Sequence, residues 1–170
     1  MKKITLILIL GFSNALFSQG PWEFNNTLDG WSSGASYALN SDHITFTLNS
    51  GNTTVLEHSA LSVNGDNNSI VAVTIKNTSD GSGPTELRAT FEKDDGSGNI
   101  NRKELALDNN DNSLRTYYID LSNNNWNNDS HDGSGTVTDR SEQFFQIHLR
   151  NSTGSGETVE IHKIEFLVFE

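Results

Sequence analysis

Apolar and polar residues alternate over short runs along most of this chain, and helical periodicity is nearly absent. Residues 85–92 are one example, because Leu87, Ala89 and Phe91 fall on one face while polar or charged residues fall on the other. A period of two is the pattern of a half-buried β-strand. The pattern predicts strands at 43–48, 70–76, 85–92, 102–107, 114–121, 143–150 and 158–169.

Segments rich in Gly, Asn, Asp and Ser separate these runs, as at 64–66, 80–84 and 94–98. Such residues favour tight turns because Gly and Asn accept positive φ. Short strands joined in this way predict an all-β fold, an antiparallel β-sandwich of the jelly-roll type. The longest polar segment, residues 122–141, contains Trp126, and segments of this length are usually functional or mobile.

The first predicted strand, near residue 22, and the last one are predicted to lie side by side. Residues 22–31 have the pattern of a first strand and turn in which Trp22 and Phe24 enter the core, and this strand is placed beside 158–169. Within 158–169 the apolar positions change parity between Ile161 and Ile164, which indicates a β-bulge at 162–163. An irregular edge strand is the alternative interpretation.

Residues 1–18 have the composition of a secretory signal peptide, with a basic start, an apolar run at 4–12 and small or polar residues after it. The run is too short to span a membrane, which takes about 20 apolar residues. We therefore expect one secreted or periplasmic β-sandwich domain over residues 19–170. The chain has no Cys, so neither a disulfide nor a lipid-modified Cys contributes to it.

The net charge of −11 narrows the expected partners. So acidic a chain is a poor partner for nucleic acid or for an anionic membrane, and we expect neither. The charge has two interpretations: it keeps the protein soluble outside the cell, or some carboxylates gather to bind Ca²⁺, which takes oxygen ligands.

Motifs for nucleophilic or zinc-dependent catalysis are missing from the sequence. There is no Cys and no Gly-x-Ser-x-Gly motif, and none of the five histidines has the i, i+4 helical spacing of a zinc metalloprotease. A transition-metal site would have to be assembled across strands. The sequence therefore does not predict a reaction of these classes.

The segment 160–165 resembles the Glu-x-Asp-x-x-Glu strand of the laminarinase-type glycoside hydrolases. In that family the first Glu is the nucleophile and the last is the acid/base, and the matching positions here are Glu160 and Glu165. The Asp position of the motif holds His162. This resemblance implies an alternative function, a small polysaccharide-cleaving enzyme.

An ion site is predicted where the chain ends meet. Glu23 and Asn25 on the first strand, with Glu160 on the last strand, supply oxygen ligands for a structural Ca²⁺. The alternative is that these side chains only solvate the edge of the sandwich. Residues 108–113 mimic the opening of an EF-hand loop but lack its Gly and its final Glu, so they are predicted to form a turn.

Sugar binding needs an outward-facing aromatic ring beside hydrogen-bonding side chains, because the C–H face of a pyranose stacks on the ring. One candidate set lies on the predicted solvent face of neighbouring strands: Tyr118, Arg88, Gln146, His148 and Arg150. A second set lies in predicted loops: Tyr37, Trp31 and Trp126. For these aromatic residues, packing in the fold is the competing interpretation.

Several short motifs are similar to those of non-catalytic carbohydrate-binding modules with a galactose-binding-like jelly roll. They are Trp-Glu-Phe-Asn at 22–25 followed by Gly-Trp at 30–31, and Tyr-Tyr-Ile-Asp-Leu-Ser at 117–122 followed by Trp126. Residues 145–150 and 159–166 resemble the final two strands of those modules. The likeness covers most of the mature chain.

The resemblance implies a jelly roll, a structural Ca²⁺ near the joined termini, and glycan binding on the concave face or at the loop edge. His162 stands where these modules often have an Asp that serves the calcium. Taken together, the sequence predicts a secreted, non-catalytic module that binds a polysaccharide or glycan, with a co-secreted glycan-degrading enzyme as a further expected partner. A structural or adhesive surface protein is the remaining alternative.

Overall fold

The computed structural model describes residues 19–63, 70–92, 100–120 and 140–167. The predicted signal peptide lies outside these residues. The described residues form ten β-strands, numbered in chain order: β1 Gln19–Glu23, β2 Ser36–Leu39, β3 Ile44–Thr47, β4 Gly51–Val63, β5 Ile70–Asn77, β6 Glu86–Glu92, β7 Ile100–Ala106, β8 Leu114–Asp120, β9 Arg140–Ser152 and β10 Thr158–Leu167. Within these same ranges, no helix has the length and apolar character needed to cross a membrane.

The strands form two antiparallel sheets, and this confirms the predicted jelly-roll β-sandwich. The six-stranded sheet has the order β2-β3-β10-β5-β8, with β1 also paired to β10. The four-stranded sheet has the order β4-β9-β6-β7. Successive strands thus alternate between the sheets at several points, so each sheet combines segments that are far apart in the chain.

Strand β10 is the central element of the six-stranded sheet. Its first half pairs with β3, its second half pairs with β1, and β5 pairs along its other side. The prediction that the first and last strands lie together is confirmed. The register shifts between Ile161 and Lys163, so the predicted bulge is also confirmed. The edge-strand interpretation is wrong, because β10 has neighbours on both sides.

Aromatic side chains from both ends of the chain join the two sheets. Phe166 on β10 makes T-shaped contacts with Trp22 on β1 and Phe145 on β9, with ring centroids 5.9 and 5.2 Å apart. Trp31 also contacts Trp22 and Phe145, and it is buried, so packing is its role. Phe24 is fully buried, as predicted. Each edge-to-face contact adds about 0.5–1.5 kcal/mol beyond area burial, so this cluster anchors β1 to both sheets.

The hydrophobic pattern did not predict β2 and β4, and the structure shows why. All four residues of β2 are exposed, so no alternation of burial marks it. β4 pairs with β9 through several register shifts, and each shift reverses the face that the following residues present. As a result the adjacent residues Val55 and Leu56 are both buried. A strand interrupted in this way has no clear period of two in its sequence.

Candidate functional site

The outer face of the four-stranded sheet carries a continuous layer of polar side chains. Strand β6 pairs with β7 and with β9 without register shifts, and Thr54 and Glu57 of β4 still stand opposite residues of β9, so the outward residues form rows across the sheet. The rows are, first, Thr54, His148, Arg88 and Glu104, then Glu57, Gln146, Thr90 and Arg102, and last Arg150 and Glu86. We call these residues the polar layer. The opposite face of the same strands packs Leu87, Ala89 and Ile147 into the core.

Four predicted sugar-binding residues belong to the polar layer: Arg88, Gln146, His148 and Arg150. Tyr118 does not, because it lies on β8 of the six-stranded sheet, opposite Ala72 of β5. The prediction that Tyr118 neighbours the other four is therefore wrong. Alternation along a strand indicates the face on which a residue lies, but it does not indicate the sheet to which the strand belongs.

A chain of hydrogen bonds runs through His148 between β9 and β4. Gln146 Nε2 donates to Glu57 Oε2 at 2.7 Å, so Gln146 Oε1 is the atom that accepts from His148 Nε2 at 2.8 Å. The ring proton is therefore assigned to Nε2, and Nδ1 accepts from the Thr54 hydroxyl at 3.0 Å. Both nitrogens of the neutral imidazole are satisfied, which holds the ring in one orientation.

Burial lowers the pKa of His148 to about 4, and the charges of Arg88, Arg102 and Arg150 act in the same direction. The imidazole is therefore neutral at physiological pH, because the charged form would lose its hydration next to three cations. His148 thus serves the polar layer as a hydrogen-bonding group and not as a cation.

Two arginines of the polar layer share one carboxylate. Glu104 Oε1 accepts hydrogen bonds from Arg88 Nε at 2.7 Å and from Arg150 Nη1 at 2.8 Å. Arg150 Nη1 also pairs with Glu86. Arg88 is only 8% exposed, so its planar fork is held by both packing and charge. The result is a rigid row in which cationic donors alternate with anionic acceptors.

The polar layer also contains buried atoms whose hydrogen-bonding capacity is unused. Within the described ranges, the buried side-chain atoms without a hydrogen-bond partner are Trp31 Nε1, Thr90 Oγ1 and Arg150 Nε. Two of these three atoms belong to the polar layer. Leaving a buried donor or acceptor unsatisfied costs about 1–3 kcal/mol. Because both atoms are fully buried, a ligand hydroxyl could satisfy them only after the side chains that cover them move apart.

The second predicted sugar-binding set is divided between different environments. Tyr37 lies on the edge strand β2, is 43% exposed, and has its ring 6.2 Å from that of the buried Phe46. Trp31 lies in the core, as described above. Trp126 lies outside the described residues. A shared surface formed by Tyr37 and Trp126 stays a prediction.

Of the residues predicted to bind Ca²⁺, Glu160 lies on β10, whereas Glu23 lies on β1 and faces a different position of β10. Glu23 pairs in register with Lys163, and Asn25 follows in the turn after β1. The Glu160 carboxylate already accepts hydrogen bonds from Lys76 at 3.3 Å and from His162 at 3.0 Å. Ca²⁺ at Glu160 would have to replace these two donors, since it binds through the same oxygens. Binding of Ca²⁺ by Glu23, Asn25 and Glu160 stays a prediction.

The predicted catalytic pair of the alternative function is separated by the bulge in β10. Glu160 pairs with Lys76, and Glu165 pairs with Lys163 at 2.7 Å. Burial raises the pKa of Glu160, but the hydrogen bonds from His162 and Lys76 lower it by more, so the net shift is downward. A lowered pKa keeps Glu160 ionised, so the acid role would fall to Glu165, whose carboxylate is held by Lys163.

Sequence reasoning missed several members of the polar layer, among them Thr54, Glu57, Thr90 and Glu104. Thr54 and Glu57 were missed because the strand that carries them, β4, was not predicted. Thr90 and Glu104 stand at outward positions of predicted strands, so their face could have been found from the alternation. Their importance comes from partners on other strands, and no local signal marks these partners.

No protein-family model matches the sequence, and no curated protein matches it. Solved structures match the fold. One is the family 11 carbohydrate-binding module of the cellulosomal cellulase Lic26A-Cel5E of Clostridium thermocellum, with a TM-score of 0.60 and 13% identity over 91% of this chain and 96% of that one. Another is the xylan-binding domain from CBM 22, with a TM-score of 0.52 and 14% identity over 89% of this chain and 94% of that one.

A third match is the arabinose-bound α-L-arabinofuranosidase MgGH51, with a TM-score of 0.56 and 12% identity over 88% of this chain. Here the chain spans only 25% of the length of the matched enzyme. At these identities the likeness is one of fold. It confirms the jelly roll that the resemblance to carbohydrate-binding modules implied.

Proposed function

We propose that this chain is a non-catalytic polysaccharide-binding module whose binding surface is the polar layer of the four-stranded sheet. The fold is shared with modules whose names state carbohydrate or xylan binding. The chain spans 96% and 94% of those two modules but 25% of the arabinofuranosidase. This difference in coverage supports a binding module over a whole catalytic domain.

The observation that carries the proposal is the unused hydrogen-bonding capacity of Thr90 Oγ1 and Arg150 Nε. Both atoms are buried in a face that is otherwise paired through charged and amide groups. A sugar hydroxyl both donates and accepts, so a saccharide that displaced the covering side chains could bond the Thr90 hydroxyl and accept from Arg150 Nε. Ligand binding would then remove the free-energy cost of the two unsatisfied groups in the unbound protein.

The composition of the polar layer suits neutral polyhydroxylated ligands. Acceptors on Glu57 and Glu104 alternate with donors on Arg88 and Gln146, and His148 stays uncharged between them. Positive and negative groups are balanced within the layer, so no single charge is favoured in the ligand. Because a rigid polar face contributes mainly hydrogen bonds, we expect weak binding that improves with the number of sugar units.

Aromatic stacking belongs to a different surface. Tyr118 is 59% exposed on the outer face of the six-stranded sheet, opposite Ala72 of β5 and two residues after Thr116 on the same strand. An exposed aromatic ring on a sheet surface is a stacking platform for a pyranose. The two surfaces are on different sheets, so variants in one leave the other unchanged and the test can separate them.

Binding is tested by affinity electrophoresis of the mature chain against a panel of soluble polysaccharides that includes xylan and mixed-linkage β-glucan, followed by calorimetry on any ligand retained. Thr90→Val removes one hydroxyl from the polar layer and should weaken binding about tenfold. Thr116→Val makes the same chemical change on the other sheet and should leave affinity unchanged. Tyr118→Ala reports on the stacking platform.

Three outcomes would count against the proposal. Retention by no polysaccharide would remove the function, and loss of binding in Tyr118→Ala with normal binding in Thr90→Val would move the site to the six-stranded sheet. Release of reducing ends that disappears in Glu160→Gln would favour the cleaving enzyme.

Export by the predicted signal peptide, and delivery of a co-secreted glycan-degrading enzyme to its substrate, are further parts of this proposal.

A further inference from the structure

A cluster of possible metal ligands lies away from the polar layer, where the turn before β3 meets the bulge in β10. One donor atom from each of Asp42, His43 and His162 lies within 4.8 Å of the other two. The rings of His43 and His162 are stacked, with centroids 4.8 Å apart and planes 27° from parallel. From these contacts we infer a binding site for Zn²⁺ or a similar borderline divalent transition metal ion.

Strand pairing brings the three residues together. Ile44 of β3 pairs with Ile161 of β10, so the residues next to them, His43 and His162, meet across the sheet. The bulge between Ile161 and Lys163 displaces His162 from the regular ladder. Bulges commonly redirect a side chain next to a functional site. The pairing of β3 with β10 therefore brings a ligand from the turn before β3 next to a ligand on β10. No local motif in the sequence shows this proximity.

The turn that carries Asp42 and His43 is itself held in place. Asn40 N donates to the His43 carbonyl at 2.9 Å, and Asn40 Nδ2 donates to Thr45 Oγ1 at 3.1 Å. Asn26 N in turn donates to the Asn40 carbonyl at 2.9 Å. Because the backbone on either side of the two ligands is fixed, little ordering is needed when an ion binds.

The hydrogen bonds of His162 prepare its other nitrogen to bind an ion. His162 Nε2 lies 3.0 Å from Glu160 Oε2, and the same carboxylate pairs through its other oxygen with Lys76. A carboxylate held by Lys76 through one oxygen accepts from the imidazole through the other. The proton of a neutral His162 is then on Nε2, and Nδ1 has a free lone pair. A carboxylate behind a ligating imidazole is the usual outer partner of a metal-bound His.

The donor set discriminates between metal ions. Two imidazoles and one carboxylate suit Zn²⁺, Cu²⁺ or Ni²⁺, whereas Ca²⁺ takes oxygen ligands. Zn²⁺ binds nitrogen and oxygen at about 2.0–2.2 Å, so tetrahedral ligand atoms are about 3.3–3.5 Å apart. The three donors must therefore approach by about 1.5 Å from their widest separation. Asp42 is exposed and makes its hydrogen bond to the neighbouring His43, so its side chain is free to adjust.

A metal ion at this position would join the turn before β3 to the central strand β10. Its contribution would be structural, since it links an outer strand pair to the strand that also holds β1. With three protein ligands, one coordination position is left for water or for a group from another molecule. The site lies on the outer face of the six-stranded sheet and does not depend on sugar binding at the polar layer.

The test is thermal unfolding of the EDTA-treated and dialysed mature chain with ZnCl₂ alone, with CaCl₂ alone, and with neither. Zn²⁺ at a hundredfold excess over its dissociation constant should raise Tm by about 5 °C or more. CaCl₂ at the same concentration should give a much smaller shift. Calorimetry with ZnCl₂ should show one site per chain.

Variants locate the site. His162→Gln and His43→Gln should each weaken Zn²⁺ binding at least tenfold, and Asp42→Asn, a change in an exposed turn, should weaken it without loss of the fold. His148→Gln removes an imidazole from the other sheet and should bind Zn²⁺ as the unchanged protein does. The inference is overturned if Zn²⁺ gives no shift, or if the shift persists in Asp42→Asn and in both of the other ligand variants.

Discussion

The hydroxyl of Thr54 lies 3.0 Å from Nδ1 of His148, and the two residues are 94 positions apart in the chain. With Nε2 donating to Gln146, Nδ1 of the neutral ring accepts from this hydroxyl. The contact joins β4 to β9 through a histidine that burial and three neighbouring arginines keep neutral. The acid sensitivity of the fold follows from this environment.

The free energy of unfolding should decrease as the pH is lowered from about 6.5 to about 4, because His148 has a pKa of about 4 when folded and an ordinary value when unfolded. Between these pH values the unfolded chain binds more protons than the folded protein. The contribution of His148 to stability is therefore fully present above about pH 6.5 and is lost as the pH falls toward about 4. The contribution of His148 should reach about 2–3 kcal/mol. Urea unfolding at several pH values measures it.

The comparison for that experiment is His148→Gln, which keeps a hydrogen-bonding side chain but removes the titrating group. The free energy of unfolding of this variant should fall less steeply with pH than that of the unchanged protein, because His148 no longer titrates. The carboxylates are the same in both proteins, so their contribution to the slope is shared. An equal slope in the two proteins would show that His148 is not the group responsible.

Thr90→Val should make the protein more stable by about 1 kcal/mol, because it removes a buried hydroxyl that has no partner among the described residues. Thr116→Val is the matched change, and there the hydroxyl is exposed and bonded to Thr74 Oγ1 at 2.9 Å, so stability should be unchanged or slightly lower. Urea midpoints give both values. A large loss of stability in Thr90→Val would mean that its hydroxyl is satisfied in the folded protein.

Glu104→Gln should destabilise the protein by about 1–2 kcal/mol, because the carboxylate serves both Arg88 and Arg150 and the first of these is buried. Glu165→Gln is the control, since among the described residues that carboxylate has one ion pair, with the half-buried Lys163, and should contribute less than about 1 kcal/mol. Both are measured by chemical unfolding at neutral pH. Equal effects would contradict the shared role of Glu104.

Gly83→Ala should destabilise the protein by about 1–3 kcal/mol, because a Cβ there would come within 1.8 Å of Ser79 Oγ and 2.8 Å of Asn77 Oδ1. Ser79 donates to Asn77, and Asn77 in turn bonds the Pro84 carbonyl, so displacing one of them disturbs the others. Gly34→Ala is the control, since a Cβ at Gly34 meets nothing within 4 Å. Thermal unfolding of the two variants compares them, and a stable Gly83→Ala would show that this turn can rearrange.

The inward faces of the strands could be predicted from the sequence by itself. Leu87 and Ala89, and likewise Ile147 and Leu149, are buried as their alternation indicated, because successive side chains of a strand point to opposite faces. The bulge in β10 was also visible, since a bulge leaves a change of parity in the apolar positions. These properties are local, so the residues next to each other in the sequence are enough to predict them.

Only the tertiary structure decided which strands are neighbours. It placed Tyr118 on one sheet and Arg88 on the other, and it brought Glu104 to Arg150 and His43 to His162. The reason is physical: the pairing and register of two distant strands depend on both partners and on the core between the sheets, and neither strand carries that information in its own pattern of residues.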